Sequence, residues 1–147
     1  MEVMFYHLGY NAETFKLNVN GWNTGSLVNA YSLFNSAGYN ANVFELDLSA
    51  WNMGSVTSME RMFSSAGRNA TTWSVGDLSG WDTSSVTNMS RMFNSAGRNA
   101  TTWDIGNLNY VDEDHKGWDV SKVTNHSYFV VWSQANIDTS KLPWQSD

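Results

Sequence analysis

The chain has 147 residues, a net charge of −6, eight Lys and Arg residues and no Cys. This length fits one domain, and the lack of Cys excludes disulfides, thiolate metal sites and Cys nucleophiles. With so few basic residues the sequence has no basic stripe to meet phosphates, so nucleic acids and anionic membranes are poor partners.

The sequence repeats itself with a period of about thirty residues, and segment 56–73 returns almost unchanged as segment 86–103. Trp residues mark the period, with spacings of 29, 30 and 37 residues, at Trp22, Trp51, Trp81 and Trp118. We therefore predict a single domain, 1–147, of stacked units that bury their apolar faces against their neighbours. The predicted units are 10–38, 39–67, 68–97 and 98–134, followed by a C-terminal cap, 135–147.

Within the second unit, a predicted strand precedes a predicted short helix. Apolar and polar residues alternate over 44–48, which is the period of a half-buried strand. An apolar stripe at helical spacing follows, formed by Val56, Met59, Met62 and Phe63. Thr57 and Glu60 fit a capping box at the start of this helix, and Gly67 fits its end. The predicted fold class is therefore α/β, a right-handed solenoid of about four strand–helix coils that resembles leucine-rich repeats.

One segment of the third unit carries a family resemblance. Residues 77–93 read DLSGWDTSSVTNMSRMF, which resembles the repeat of BspA-like leucine-rich-repeat surface proteins and of mycoplasma and firmicute lipoproteins of unassigned function. The resemblance covers about residues 10–132. It implies a secreted or cell-surface bacterial protein, with adhesion or host-factor binding suggested for some members. It does not fix a ligand.

Targeting and membrane signals are missing from this stretch of sequence. The N-terminus lacks a basic region followed by an apolar core, and no apolar run approaches the roughly 18 residues that span a bilayer. We therefore expect no direct membrane insertion, and the export signal and anchor implied by an extracellular location are not present in this chain. The sequence allows both a piece of a longer protein and a complete short gene product.

Catalytic and metal-binding signatures are weak. His126 occupies the stripe position of Met59, which favours a packed side chain, and no nucleophile, acid–base pair or cofactor motif is evident. The acidic segment 112–119 fails the calcium-loop template, because Lys116 and Val123 stand where oxygen donors are required. We predict no enzyme activity and no cofactor, and we interpret 112–119 as a solvated acidic loop, with adventitious cation binding left open.

The side of the strands turned away from the core carries aligned polar residues. They form two short ladders, the first of Lys16, Glu45, Ser74 and Asp104 and the second of Asn18, Asp47, Asp77 and Asn107. In a coiled repeat protein such a face is the extended surface that binds partners. Plain solvation of a polar face is the alternative interpretation.

Aromatic residues offer a second kind of surface. The Trp residues that mark the period are predicted to be structural, stacked between units. Trp132 and Trp144 fall outside this period, so they are candidates for exposed contacts or for packing on the last unit.

The sequence therefore predicts a non-enzymatic, extracellular or surface-displayed module for adhesion or protein recognition. Its partner would be a protein or glycan on another cell or within a surface assembly. A carbohydrate-binding module is one alternative. A structural spacer within a larger surface or phage assembly is the other.

Overall fold

The computed structural model describes residues 1–109, 117–131 and 138–144. Within these residues one parallel sheet has the order β1–β2–β3, formed by β1 Thr14–Leu17, β2 Val43–Leu46 and β3 Thr72–Ser74. Residues one repeat apart are paired, so that Phe44 lies opposite both Phe15 and Trp73. A short 3₁₀ helix, Thr139–Lys141, lies near the C-terminus. Successive units are therefore stacked in register.

The predicted α/β fold class is wrong. Residues 1–109, 117–131 and 138–144 contain no α-helix, and their strands have only three or four residues each. The described chain is a nearly all-β stack of short parallel strands and turns, and not a right-handed solenoid of strand–helix coils like a leucine-rich repeat. The four side chains of the predicted helical stripe are nevertheless fully buried, at 0% exposure.

Two sets of backbone hydrogen bonds alternate along segment 61–66 and explain why no helix forms. The amides that close turns onto carbonyls three residues earlier are those of Met62, Ser64 and Ala66. The intervening amides donate to the next unit at 2.9, 2.8 and 2.8 Å, and they are those of Arg61, Phe63 and Ser65. An α-helix needs every interior amide for the carbonyl four residues back, so the two patterns exclude each other. The apolar stripe faces the core through successive turns.

The predicted capping box is also absent. The hydroxyl of Thr57 donates to the carbonyl of Val28 at 3.2 Å, and the hydroxyl of Thr87 donates to the carbonyl of Thr57 at 3.2 Å. The carboxylate of Glu60 accepts from the side-chain amide of Asn88 at 2.9 Å. These groups therefore join neighbouring units, because no helix start is present for them to satisfy.

Aromatic rings form columns through the core. Phe63 is stacked between Phe34 and Phe93, with ring centroids 5.6 and 5.2 Å apart. A second column runs through the strand positions at centroid separations of 5.0, 6.0 and 5.1 Å, and it consists of Phe15, Phe44, Trp73 and Trp103. Each unit thus buries its rings against those of the units on either side.

Three of the Trp residues that mark the period are structural, as predicted. They are 3, 3 and 6% exposed, and their indole N–H groups donate to the preceding unit: Trp51 to Val19, Trp81 to Leu48 and Trp118 to Leu78, at 3.1, 3.0 and 2.8 Å. Trp22 differs because it is 39% exposed, and its ring lies 5.6 Å from that of Phe5 at an angle of 43°. The indole N–H bonds fix the offset between successive units.

Trp73 and Trp103 allow a direct test of one buried hydrogen bond. Trp73 Nε1 donates to the carbonyl of Ala66 at 3.0 Å, whereas the buried Trp103 Nε1 has no hydrogen-bond partner. We expect Trp73→Phe to lower the free energy of unfolding by at least about 1 kcal/mol more than Trp103→Phe, since only the first change removes a hydrogen bond. Urea denaturation of both variants measures the difference. Equal losses of stability in the two variants would contradict the hydrogen bond from Trp73 Nε1 to Ala66.

Candidate functional site on the strand face

Side chains of the first polar ladder lie next to one another on adjacent strands. Lys16 and Glu45 are register partners, and Lys16 Nζ lies 2.8 Å from Glu45 Oε2. Glu45 is in turn the register partner of Ser74. An open cleft of about 600 Å³ lies over these strands. The polar residues that line it are Lys16, Asn18, Asn20, Glu45, Asp47, Thr72 and Ser74.

The second polar ladder has a structural role that the sequence interpretation missed. Each of its side chains accepts a hydrogen bond from the backbone N–H two residues later, which is the geometry of an Asx turn. The acceptors are Asn18, Asp47, Asp77 and Asn107, at 3.2, 3.0, 2.9 and 3.2 Å. The spacing of Asn or Asp followed two residues later by Ser or Asn was the signal in the sequence. These side chains therefore close one turn of every unit, which we call the first corner of that unit.

Asp47 carries a fixed negative charge in the cleft. The hydroxyl of Ser49, the side-chain amide of Asn20 and the backbone N–H of Ser49, in that order, hold the pKa of Asp47 below its usual range. The three hydrogen bonds measure 2.6, 2.9 and 3.0 Å. Gly76 approaches so closely that a Cβ there would lie 2.5 Å from Asp47 Oδ1. The carboxylate is thus ionised and held in one position.

Asp104 and Asp77 do not line this cleft. Asp104 Oδ2 lies 3.9 Å from Lys141 Nζ, and both residues line a second, smaller cleft of about 260 Å³ toward the C-terminus. Asp77 closes its Asx turn, and a Cβ on Gly106 would collide with its carboxylate. The structure therefore gathers five of the eight predicted strand-face residues around one cleft: Lys16, Asn18, Glu45, Asp47 and Ser74.

The two aromatic candidates do not form a shared surface in the described residues. Trp144 is half-buried, stacks on His126 at 4.3 Å and meets the edge of Phe129 at 5.2 Å. It packs on the last unit, as the alternative interpretation anticipated. Trp132 lies outside the described residues.

The acidic segment 112–119 is only partly described, since 112–116 lie outside the described residues. Asp119 accepts from the backbone N–H of Ser121 at 2.9 Å, and Asp82, one unit earlier, accepts from that of Ser84 at 3.0 Å. The Ser hydroxyls are the main cause that lowers the pKa of each carboxyl. Both carboxylates therefore serve Asx turns at a second corner.

Comparison with protein-family models gives one match, over residues 1–145, to the family described as Mycoplasma protein of unknown function, DUF285. The chain belongs to this family. The resemblance to mycoplasma proteins is thereby confirmed, whereas no BspA or leucine-rich-repeat family model matches. No curated protein and no solved structure matches the chain. Any function of this DUF285 chain must therefore be argued from its surfaces.

The cleft of the DUF285 chain offers hydrogen bonds and charge. It combines one amine, two carboxylates, side-chain amides and hydroxyls, and the side chains of Lys16 and Glu45 are 59 and 41% exposed. Among the described residues, no group of three or more His, Cys, Asp or Glu side chains could hold a metal ion. A search of the same residues finds no helix with the length and apolar character to cross a bilayer. The arrangement suits recognition of a polar, extended ligand.

Proposed function

We propose that this chain is a non-enzymatic recognition module that binds an extended segment of a protein partner in the strand-face cleft. The observation that carries the proposal is the fixed arrangement of polar groups around that cleft. Display outside the cell is part of the proposal, and the likeness of residues 77–93 to the repeat of BspA-like surface proteins supports it. Adhesion would follow if the partner lies on another cell.

Preorganisation supports binding at this cleft. Asn18 and Asp47 are locked by backbone hydrogen bonds, and Asp47 is further held by Asn20. A ligand therefore does not have to immobilise these side chains, which otherwise costs about 0.5–1.5 kcal/mol for each flexible side chain ordered.

The Lys16–Glu45 pair supplies groups that can exchange partners. Both side chains are well exposed, at 59 and 41%, so their mutual attraction contributes only about 0–1 kcal/mol to stability. A peptide can therefore replace one contact with its own carboxylate, amide or amine at little cost to the fold. Main-chain amides and carbonyls of an extended peptide also match the hydroxyl and amide groups of the cleft.

A pair of charge-neutral double variants tests the proposal. Peptides are selected from a random display library on the native chain, and their affinities are measured by isothermal titration calorimetry. We expect Lys16→Gln/Glu45→Gln to bind the selected peptides at least about tenfold more weakly, because two charge-assisted contacts are lost.

The matched control is Glu60→Gln/Lys122→Gln, which also removes one acid and one amine and leaves the net charge unchanged. Neither residue lines the cleft, and Gln at position 60 can still accept from Asn88. The control should retain native affinity. Equal affinity for both double variants, or a library that yields no binder, would refute peptide binding in the cleft.

A further inference from the structure

The N-terminal end of the stack exposes side chains at positions that inner units bury. We call this surface, made of residues 1–13 and Trp22, the end face. Phe5 stacks on Phe34 with ring centroids 4.9 Å apart, so each end-face residue corresponds to the residue 29 positions later. Met4 is 53% exposed, whereas its equivalent Leu33 is 0% exposed. Three more exposed residues correspond to buried ones, namely Met1 to Ala30, Leu8 to Ala37 and Trp22 to Trp51. The end face is therefore an uncovered section through the apolar core.

The first segment of the end face carries backbone carbonyls without donors. Each inner unit accepts hydrogen bonds from the amides of the unit before it, and three such bonds join the end face to the second unit. They run from Val3 to Tyr31, from Phe5 to Leu33 and from His7 to Asn35, at 3.0, 2.9 and 3.0 Å. The equivalent carbonyls of the end face accept no backbone hydrogen bond within the described residues, and they are those of Glu2, Met4 and Tyr6.

The second segment of the end face carries backbone amides without acceptors. Here the direction of the bonds is reversed, because amides of the second unit donate to carbonyls of the end face. These donors are Gly38, Asn40 and Asn42, at 2.9, 2.9 and 2.8 Å. The equivalent amides, those of Gly9, Asn11 and Glu13, donate to no backbone carbonyl in the part of the chain that the structure describes. The end face therefore presents acceptors along 2–6 and donors along 9–13.

These acceptors and donors are placed symmetrically along the chain. The midpoint between them lies between His7 and Leu8. An antiparallel pairing with a second copy about that midpoint sets Glu2 against Glu13, Met4 against Asn11 and Tyr6 against Gly9. Every open carbonyl then meets an open amide. The end face is thus self-complementary, as a two-fold contact between identical chains requires.

A single extended peptide does not match this pattern. The open edge of an ordinary β-strand offers amides and carbonyls in alternation. Segment 2–6 offers carbonyls only, so a peptide strand laid along it would set its own carbonyls against some of them. Unpaired backbone groups that are removed from water oppose such binding.

We propose that two copies of this chain associate through their end faces about a two-fold axis. The contact covers Met4, Leu8 and Trp22, and it supplies partners for three carbonyls and three amides of each chain. Glu2 of one copy comes near Glu13 of the other, but both side chains are exposed, so water and salt screen their repulsion. No residue of the end face lines the strand-face cleft, so this proposal and the proposed peptide binding can fail separately.

Two single variants with matched charge and exposure test the contact. Met4→Lys places a charge in the end face. Val28→Lys places one on the side of the stack, where Val28 is 55% exposed and the equivalent Thr57, Thr87 and Thr124 are exposed too. Sedimentation velocity over a concentration series measures the dissociation constant of the dimer. We expect Met4→Lys to raise it at least about tenfold and Val28→Lys to leave it within about twofold of the native value. Near-ultraviolet circular dichroism verifies the folding of both variants.

Hydrogen exchange followed by nuclear magnetic resonance tests the backbone pairing itself. The amides of Gly9, Asn11 and Glu13 should exchange at least about tenfold more slowly in the native dimer than in Met4→Lys at the same concentration. Four results would overturn the proposal. They are a native chain that stays monomeric up to its solubility limit, equal weakening by the two Lys variants, growth beyond a dimer, or a dimer whose three amides exchange as fast as in the monomer.

Discussion

Gly67→Ala should lower the free energy of unfolding by about 3 kcal/mol. Gly67 has a φ of +51°, and a Cβ there would lie 2.6 Å from Phe44 Cβ and 2.8 Å from Trp73 Cδ1. The left-handed backbone costs an L-residue about 1–2 kcal/mol, and overpacking a closed core adds about 1–3 kcal/mol. Equilibrium denaturation in guanidinium chloride, followed by Trp fluorescence, measures the loss.

Gly80→Ala is the matched control for this substitution. A Cβ at Gly80 would meet nothing within 4 Å. We therefore expect a change within about 0.5 kcal/mol, as for most surface substitutions. If the two alanine variants unfold at the same denaturant concentration, the close approach of the turn to the aromatic column does not exist in solution.

Phe63→Ala should lower the free energy of unfolding by about 3–5 kcal/mol. The ring is fully buried and stacked between Phe34 and Phe93. Its removal loses apolar burial and leaves a cavity that the rigid stack cannot close. The same denaturation assay reports the change, and a loss below about 1 kcal/mol would show that the column does not form.

Phe63→Leu separates burial from ring stacking. Leucine keeps most of the apolar volume but has no aromatic face. We expect a loss of about 1–2 kcal/mol, from stacking energy and imperfect shape. A loss as large as that of Phe63→Ala would mean that packing around Phe34 and Phe93 depends on the aromatic ring itself.

The register of the stack could be predicted from the sequence because it follows from repeated residues. Trp73 and Phe44 occupy equivalent positions 29 residues apart, and the structure pairs them across adjacent strands. The alignment of Lys16, Glu45 and Ser74 follows from the same pairing. Any stacked architecture brings equivalent positions together, so the period predicts these contacts whatever the local backbone conformation.

The local conformation could not be predicted in the same way. Met59, Met62 and Phe63 have the spacing of a helical face, but successive three-residue turns also direct them to one side. Whether this segment forms a helix or successive turns depends on which carbonyl groups accept hydrogen bonds from the intervening amides. The amide of Phe63 donates to Met92 in the next unit, and such a partner is visible only once units are stacked.

The candidate site shows a similar limit. The polar ladders could be located from alternation along the strands, yet their individual roles could not. Asp47 and Asp77 both accept from the backbone two residues later, although only Asp47 lines the larger cleft. The cleft depends on how neighbouring corners shape the surface, which the repeat period does not encode.

The spacing between the third and fourth Trp residues bears on how such a chain can diversify. Trp81 and Trp118 are 37 residues apart, where the preceding pair is 30 apart. Even so, Trp118 Nε1 reaches the carbonyl of Leu78 at 2.8 Å, and Asn88 still bridges to Asn125 in parallel. The register is the same despite the seven additional residues. Hydrogen bonds to the neighbouring unit hold each segment in place, whatever the length of chain between one segment and the next. The architecture can therefore accept a longer interval between equivalent positions while the contacts of its interior stay unchanged.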